Sequence, residues 1–280
     1  MSVKIIVDST CDITRDFAKV NDIKTFPLKV LFGEKEYIDD IDLTREEFYE
    51  KLSASKTLPT TSQVAPDEFA EYFEAEKAGG DEVVGIFISS TFSGTFQSAK
   101  IAKEMTDFEN AYLVDSRCAT VTAQILVDIA IKMRNEGKTA REIFDALEVA
   151  KEKVKLYAIV DDLKNLKKGG RLSGAGAIIG AAFHVKPIIT IDHEAKLVVA
   201  GKAKGRKSAV DFLLQKYKEE HNDDIKTMYI GNSGCSEFSK ELEDIISQSC
   251  GEREFIESAI GAVIATHLGV NCVVIGFVAK

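Results

Sequence analysis

The sequence predicts an α/β protein of two domains, an N-terminal three-layer α/β/α domain with a parallel sheet and a C-terminal α/β domain with a mixed sheet. Apolar runs of strand length alternate with helical patterns in the first half, which is typical of a parallel sheet covered on both faces. The strand pattern restarts after the charged residues 151–153, and 280 residues are enough for two domains. We therefore expect domains at residues 1–153 and 154–280.

The N-terminal domain is predicted to contain four strands, at residues 3–7, 26–32, 83–88 and 111–115, because these runs are short, apolar and rich in β-branched residues. Helices are predicted between them. A capping box at residues 44–47 opens the first of these, and Pro66 suits the first position of the next. Two more helices, at residues 119–134 and 140–154, complete the layers.

The C-terminal domain is predicted to begin with a strand at residues 156–160. The small-residue run 174–180 predicts a helix packed closely against a neighbour, and residues 185–191 and 196–200 predict a hairpin. Residues 226–231 form a further candidate strand, and the fully apolar run 272–278 predicts a central strand. These strands would run in mixed directions.

Composition excludes several classes of function. A net charge of −9 argues against nucleic acid or an anionic membrane as the main partner. No apolar run approaches the roughly 18 residues of a spanning helix, and the N-terminus enters a strand without a secretory h-region, so we expect a cytoplasmic protein without stable membrane insertion. Five scattered cysteines without a C-x-x-C pair predict neither a disulfide framework nor a zinc site.

Hydroxyl side chains are concentrated in the turn at residues 89–98, between an apolar strand and a helical pattern. The first N–H groups of a helix lack internal partners and favour negative charge, so this turn is a candidate anion site. Gly94 would allow close approach of the backbone, and Ser93, Thr95 and Ser98 would supply donors. An ordinary Ser/Thr helix cap is the alternative.

Three further segments are candidates for binding. Residues 57–64 form a second hydroxyl-rich loop, which could equally be a solvated connection. Asp39, Asp40 and Asp42 invite a metal-site interpretation, although acidic residues also suit the start of the following helix. The basic residues of segment 202–207 could be a solvated edge or a docking patch for an anionic partner; they include Lys204, Arg206 and Lys207.

Five motifs occur in a characteristic order: V-D-S-T at residues 7–10, P-T-T-S-Q at 59–63, S-S-T-F-S-G-T-F-Q-S-A at 89–99, G-R-L-S at 170–173 and A-T-H-L-G at 265–269. Together they resemble the DegV family of bacterial fatty-acid-binding proteins, over essentially the whole chain. The resemblance implies one long-chain fatty acid, such as palmitate or a C18 acid, in a tunnel closed by the C-terminal domain, and no cofactor.

The resemblance also implies roles for individual residues. Thr61 and Ser93 would bind the carboxylate, and Arg171 and His267 would lie near the same head group. Further candidate contacts are Ser62, Gly94 and Thr95. The sequence departs from the family pattern at residues 64–65, where V-A stands for the commoner P-S and weakens a helix cap, and at residues 270–271, where V-N stands for P-G near His267.

Family members present the fatty-acid carboxylate to a separate ATP-dependent kinase subunit, so the resemblance implies a substrate-presenting protein rather than an enzyme, with the basic cluster as a candidate kinase-docking site. One alternative is a serine hydrolase or esterase that uses Ser93 as nucleophile and His267 as base, although the G-x-S-x-G elbow is absent. A phosphate or nucleotide binder is another, but neither a Walker loop nor a true dinucleotide fingerprint is present.

Overall fold

The computed structural model describes residues 2–173 and 185–280. The strands are β1 (Val3–Asp8), β2 (Ile23–Phe26), β3 (Lys29–Phe32), β4 (Lys35–Ile38), β5 (Thr60–Ser62), β6 (Glu82–Phe87), β7 (Ala111–Asp115), β8 (Val154–Ile159), β9 (Val185–Ile191), β10 (Leu197–Lys204), β11 (Thr227–Asn232), β12 (Glu254–Ala259) and β13 (Val273–Val278). The helices are α1 (Arg15–Val20), α2 (Arg45–Ala54), α3 (Pro66–Gly79), α4 (Thr95–Thr106), α5 (Val121–Asn135), α6 (Ala140–Ala150), α7 (Lys164–Lys168), α8 (Gly205–Glu220), α9 (Ser236–Cys250) and α10 (Ala262–Leu268). The helix predicted at residues 174–180 lies outside the described residues.

The first sheet is parallel throughout, in the order β2-β1-β6-β7. Its side chains alternate between two cores, as the pleat of a strand requires. Ile6 and Phe87 pack with helices α3 and α4 on one face, whereas Ile5, Val84 and Ile86 pack with α5 and α6 on the other. The predicted three-layer α/β/α architecture is therefore confirmed.

A small antiparallel sheet, in the order β4-β3-β5, corrects the prediction for residues 26–32. That segment is two strands: β2 ends at Phe26 in the parallel sheet, and β3 begins at Lys29 in the small one. Pro27 lies between them and has no backbone N–H to donate, so strand pairing does not continue through it from β2 to β3. Residues 60–62, predicted as part of a loop, form the edge strand β5, in which Thr61 is paired with Val30.

The third sheet is mixed, in the order β10-β9-β8-β13-β11-β12. Strand β13 lies between β8 and β11 and is antiparallel to both, which confirms the predicted central strand. Strands β9 and β10 form the predicted hairpin, and β11 and β12 are parallel. The C-terminal half is thus the expected mixed α/β unit.

Helix α5 lies between the two large sheets, in contact with β1 and β6 on one side and with β8, β11 and β13 on the other. The approach is close at Gly276 of β13, where a Cβ would lie 2.6 Å from the Thr122 methyl group. Helix α10, from the C-terminal half, packs against β3 and β5 of the N-terminal half. Both halves thus contribute to the region between them, and the division at residue 153 stays a prediction.

None of the described helices has the length and apolar content to cross a bilayer.

The acidic segment proposed as a possible metal site has its carboxylates engaged separately. Asp39 accepts a hydrogen bond from the Ser9 hydroxyl at 2.7 Å, Asp40 pairs with Arg15 at 3.4 Å, and Asp42 accepts a backbone N–H of its own turn. Within residues 2–173 and 185–280, no group of three or more His, Cys, Asp or Glu side chains is arranged to hold a metal ion. The structure therefore gives these carboxylates structural partners.

Asp39 lies beside a second buried carboxylate, Asp12, where the N-terminal half meets the start of α10. Asp12 accepts hydrogen bonds from the Gly261 N–H at 2.9 Å and the Thr120 hydroxyl at 2.6 Å. Burial raises the pKa of Asp12 to about 6, against the opposing effect of the Arg45 charge. Burial, with a smaller contribution from the charge of Asp12, raises the pKa of Asp39 to about 7.

The folded-state pKa of Asp39 lies above the value of about 3.9 for an unfolded chain. Between roughly pH 4 and 7, Asp39 is therefore protonated in the folded protein and ionised in the unfolded chain. Stability from this group is therefore lost as pH rises through that window. We expect Asp39→Asn to be more stable than the unchanged protein by roughly 1–3 kcal/mol above pH 7, with the difference vanishing near pH 4. Denaturant unfolding from pH 4 to 8 measures this, with Asp40→Asn as the matched control. A pH-independent difference would contradict it.

Candidate ligand-binding cavity

The hydroxyl-rich turn has the predicted strand–turn–helix geometry. Strand β6 ends at Phe87, and α4 begins at Thr95 with Gly94 as its N-cap residue and no side-chain cap at that position. The Ser93 hydroxyl lies 2.9 Å from the Thr95 hydroxyl and accepts the Thr95 N–H at 3.3 Å. Ser93 therefore partners one N–H group of the first turn of α4.

The second hydroxyl-rich segment contributes Thr61 from strand β5. The Thr61 hydroxyl lies 3.0 Å from Nε2 of His267, which is 206 positions away in the chain, near the end of α10. Strand β5 pairs with β3 along one edge only. Strand β5 also contacts helix α10, and Gln63, the residue directly after it, donates a hydrogen bond to Ser98 of α4.

His267 is largely buried and neutral at physiological pH. Burial lowers its pKa to about 4, and the positive charge of Arg171 lowers it further in the same direction. Its Nδ1 atom has no hydrogen-bond partner among the described residues, because it faces the Cα of Gly169, where a Cβ would lie only 2.3 Å away. The neutral ring can therefore use Nε2 toward Thr61.

Arg171 joins the hydroxyl-rich turn at residues 89–98 to the end of α7. Its Nε donates to the Phe92 carbonyl at 3.1 Å, and one terminal nitrogen donates to the Gly169 carbonyl at 2.5 Å. These bonds fix the guanidinium beside the Ser93 turn and near His267. The hydrogen bonds of the described residues leave the other N–H groups of the fork without a partner, and guanidinium N–H groups suit an anion.

These side chains line one cavity of about 350 Å³, within the range of roughly 300–1,000 Å³ for small-molecule sites. Its polar lining comprises Thr61, Ser62, Gln63, Ser93, Gly94, Thr120, Arg171 and His267. The rest is apolar and comes from both halves of the chain: Leu28, Ile88, Phe92, Ala119, Leu156, Ala158, Leu166, Ile189, Ile191, Leu197, Val263, Ile264, Leu268 and Val274. Such a lining suits a molecule with a small anionic head and a long apolar tail.

Most of the residues singled out in the sequence are brought together here. Thr61, Ser62, Ser93, Gly94, Arg171 and His267 all line the cavity, whereas Thr95 is buried and bonded to Ser93 without lining it. Gln63 was not proposed as a site residue, although it ends the P-T-T-S-Q motif. The apolar lining residues could not be recognised in the sequence, because an apolar strand residue facing a cavity has the same sequence pattern as one facing the core.

The basic cluster lies away from this cavity. Arg206 pairs with Glu241 at 2.7 Å and lies over the ring of Phe238 at 3.6 Å, so it has structural partners. Lys204 ends strand β10, and Lys207 lies in the first turn of α8. A docking role for this cluster stays a prediction.

The hydrolase alternative receives no support from the hydrogen bonds. Within the described part of the chain, Nε2 of His267 has Thr61 as its partner and the Ser93 hydroxyl has Thr95, so no hydrogen bond joins Ser93 to His267. A histidine whose pKa is lowered to about 4 is also a weak base. The arrangement instead supplies neutral donors and one guanidinium.

The low pKa of His267 predicts the pH at which its imidazole gains a proton. The folded-state pKa lies below the value of about 6.5 for a free histidine, so the stability that depends on the neutral ring is lost as pH falls from about 6.5 to 4. NMR of the imidazole should give a midpoint near pH 4. Arg171→Ala should raise it only in part, because burial is the larger cause. A midpoint at or above the free-histidine value of about 6.5 would contradict this burial.

The fold and the cavity define a class: a two-domain α/β protein with an apolar cavity that ends in hydroxyl donors at a helix N-terminus. The family model described as "Uncharacterised protein, DegV family" matches residues 2–280. This chain therefore belongs to the DegV family, as the motif order predicted.

Individual relatives agree. The chain is 35% identical over 269 residues to a DegV domain-containing protein of Caldanaerobacter subterraneus subsp. tengcongensis, covering 95% of both chains. It is similar to the crystal structure of DegV, a fatty acid binding protein from Bacillus subtilis, with a TM-score of 0.89, 32% identity and 100% of both chains covered. It is also similar to a stearic acid-binding protein from Eubacterium ventriosum, with a TM-score of 0.89, 27% identity and 100% and 99% of the two chains covered.

Proposed function

We propose that this protein binds one long-chain fatty acid, such as palmitate or a C18 acid, with the carboxylate at Thr61 and Ser93 and the tail in the apolar cavity. The cavity itself is the main support, since hydroxyl donors at its polar end meet an otherwise apolar lining. Arg171 and His267 flank the head group, and Ser62, Gly94 and Thr95 support it. The Bacillus subtilis relative is described as a fatty acid binding protein and the Eubacterium ventriosum relative as a stearic acid-binding protein, which agrees with this ligand class.

Affinity in this proposal comes from the tail. Burying about 15 methylenes at ~0.8 kcal/mol each gives a gross driving force on the order of 12 kcal/mol before ordering costs. The carboxylate must recover its lost hydration through hydrogen bonds, each contributing roughly 1.5–3 kcal/mol when charge-assisted. The head-group contacts therefore determine orientation and the choice of acid over neutral lipid.

The proposal includes presentation of the carboxylate to a separate ATP-dependent kinase subunit, in the cytoplasm, with no chemistry by this chain. A carboxylate oxygen would attack the γ-phosphorus of ATP, the bond to ADP would break, and an acyl phosphate would form. In this proposal Thr61 and Ser93 contact the carboxylate as neutral donors, with Arg171 as the charged group beside them; neutral donors draw less electron density from the attacking oxygen than charged donors do. Lys204, Arg206 and Lys207 are the proposed docking patch, and reversing the charge of Arg206 and Lys207 should slow acyl phosphorylation.

Native mass spectrometry of the protein as expressed tests the ligand. We expect a bound mass matching a C16–C18 acid and no nucleotide. A bound nucleotide, or failure to take up added palmitate, would overturn the proposal.

An ester-burst assay tests the hydrolase alternative. Stoichiometric product release that is lost in Ser93→Ala would support covalent catalysis instead.

A further inference from the structure

Gln63 connects the segment that carries Thr61 to helix α4, which follows Ser93. It follows β5 directly, two positions after Thr61, and its Nε2 donates to the Ser98 hydroxyl in the first turns of α4 at 2.8 Å. Ser98 is only 1% exposed, so this bond anchors an otherwise exposed side chain to a fixed point in the helix. Among the described residues, no other side-chain hydrogen bond links residues 60–63 to helix α4.

The amide of Gln63 also occupies the space where a side chain at position 94 would begin. A Cβ on Gly94 would lie 2.0 Å from Oε1 of Gln63 and 2.7 Å from its amide carbon. The backbone of Gly94 has φ −76° and ψ 1°, values open to any residue. A Cβ at position 94 would therefore force the Gln63 amide, the far end of a flexible side chain, to move away, whereas the backbone conformation itself accepts any residue.

We propose that Gln63 is a positioning residue for the fatty-acid head group, an inference that rests on the proposed function. By seating its amide on Gly94 and bonding to Ser98, it sets the distance between Thr61 on β5 and Ser93 before α4. Both hydroxyls then face the same carboxylate. Without this contact β5 would be held on that side by the Thr61–His267 hydrogen bond, which the ligand itself must share.

The contact predicts a specific non-additivity between Gln63→Ala and Gly94→Ala. The methyl group that Gly94→Ala introduces would displace the amide of Gln63 and break its bond to Ser98, which is the same loss that Gln63→Ala produces. Each single variant should weaken palmitate binding about tenfold, equal to about 1.4 kcal/mol. The double variant should be no weaker than either single one, because residues in contact do not act independently.

The measurement is the dissociation constant for palmitate and for methyl palmitate, by competition with a fluorescent fatty-acid probe. Methyl palmitate has the same tail without the charge, so its affinity should stay unchanged in these variants. Gln63→Met keeps the length of the side chain without the hydrogen bond and should behave as Gln63→Ala does. Gln97→Ala, at an exposed neighbour on α4, is the matched control and should bind both lipids as the unchanged protein does.

Additive losses in the double variant, or equal losses for the acid and the ester, would overturn the positioning role. Unchanged palmitate affinity in both Gln63→Ala and Gln63→Met would do the same while leaving the proposed function intact. If the unchanged protein failed to bind palmitate, the proposed function itself would be wrong. Thermal unfolding of each ligand-free variant confirms that a loss of affinity does not reflect a loss of fold.

Discussion

Replacing Thr61 and Ser93 together by alanine should reduce palmitate affinity by roughly 2–4 kcal/mol while the protein remains folded. Both residues line the polar end of the cavity, and their removal leaves a desolvated carboxylate without two charge-assisted donors. Thr61→Ala should in addition destabilise the ligand-free protein more than Ser93→Ala does, because it leaves Nε2 of the largely buried His267 without its partner. Isothermal titration with palmitate gives the affinity of all three variants.

Thr60→Ala is the control for this double variant. Thr60 is on the same strand but exposed, and alternate residues of a strand point to opposite faces. Removing its hydroxyl should leave palmitate affinity unchanged. If Thr61→Ala/Ser93→Ala retained palmitate as well as the Thr60 control did, neither residue would belong to the head-group site.

Enlarging Ala158 should shorten the acid that the protein can hold. Ala158 lines the cavity from β8, between Val274 and Ile189 on the neighbouring strands. In Ala158→Phe the ring would take space that several methylenes of the tail would fill. At ~0.8 kcal/mol for each methylene left unburied, palmitate affinity should fall by roughly 2–4 kcal/mol. Ala158 is itself fully buried, so the added volume should also cost the ligand-free protein some stability.

A graded series separates a blocked channel from a damaged fold. Ala158→Val, Ala158→Leu and Ala158→Phe should lower the preferred chain length progressively, and acids of eight to ten carbons should be affected least. The measurement is competition binding across C8 to C18 acids, together with thermal unfolding of each ligand-free variant. A loss of the same size for every chain length would place Ala158 outside the tail channel.

Local patterns were sufficient for most of the fold. The apolar runs that became β6, β7 and β13 are strands because burial on both faces leaves a nearly continuous hydrophobic stretch, which periodicity detects. The turn before α4 and the capping box of α2 are set by neighbouring residues and were predicted for that reason. The prediction of one strand at residues 26–32 was wrong although a local signal was present, since Pro27 marks the break between β2 and β3.

The site was predicted only as a set of motifs. The sequence, through its resemblance to a family, named Thr61, Ser93, Arg171 and His267, but offered no reason of its own for their meeting. Their proximity depends on contacts across the chain, such as the 3.0 Å approach of Thr61 to His267.

By itself the sequence determined the elements, their order and the hydroxyl-rich turns, because hydrophobic period, capping and turn chemistry act over a few residues. The tertiary structure alone decided which apolar residues line a cavity instead of filling a core, and which atoms meet there. Gln63 over Gly94 and the neutral state of His267 are of this second kind. Close approach and burial are properties of packing between distant segments, and no local pattern in the chain encodes them.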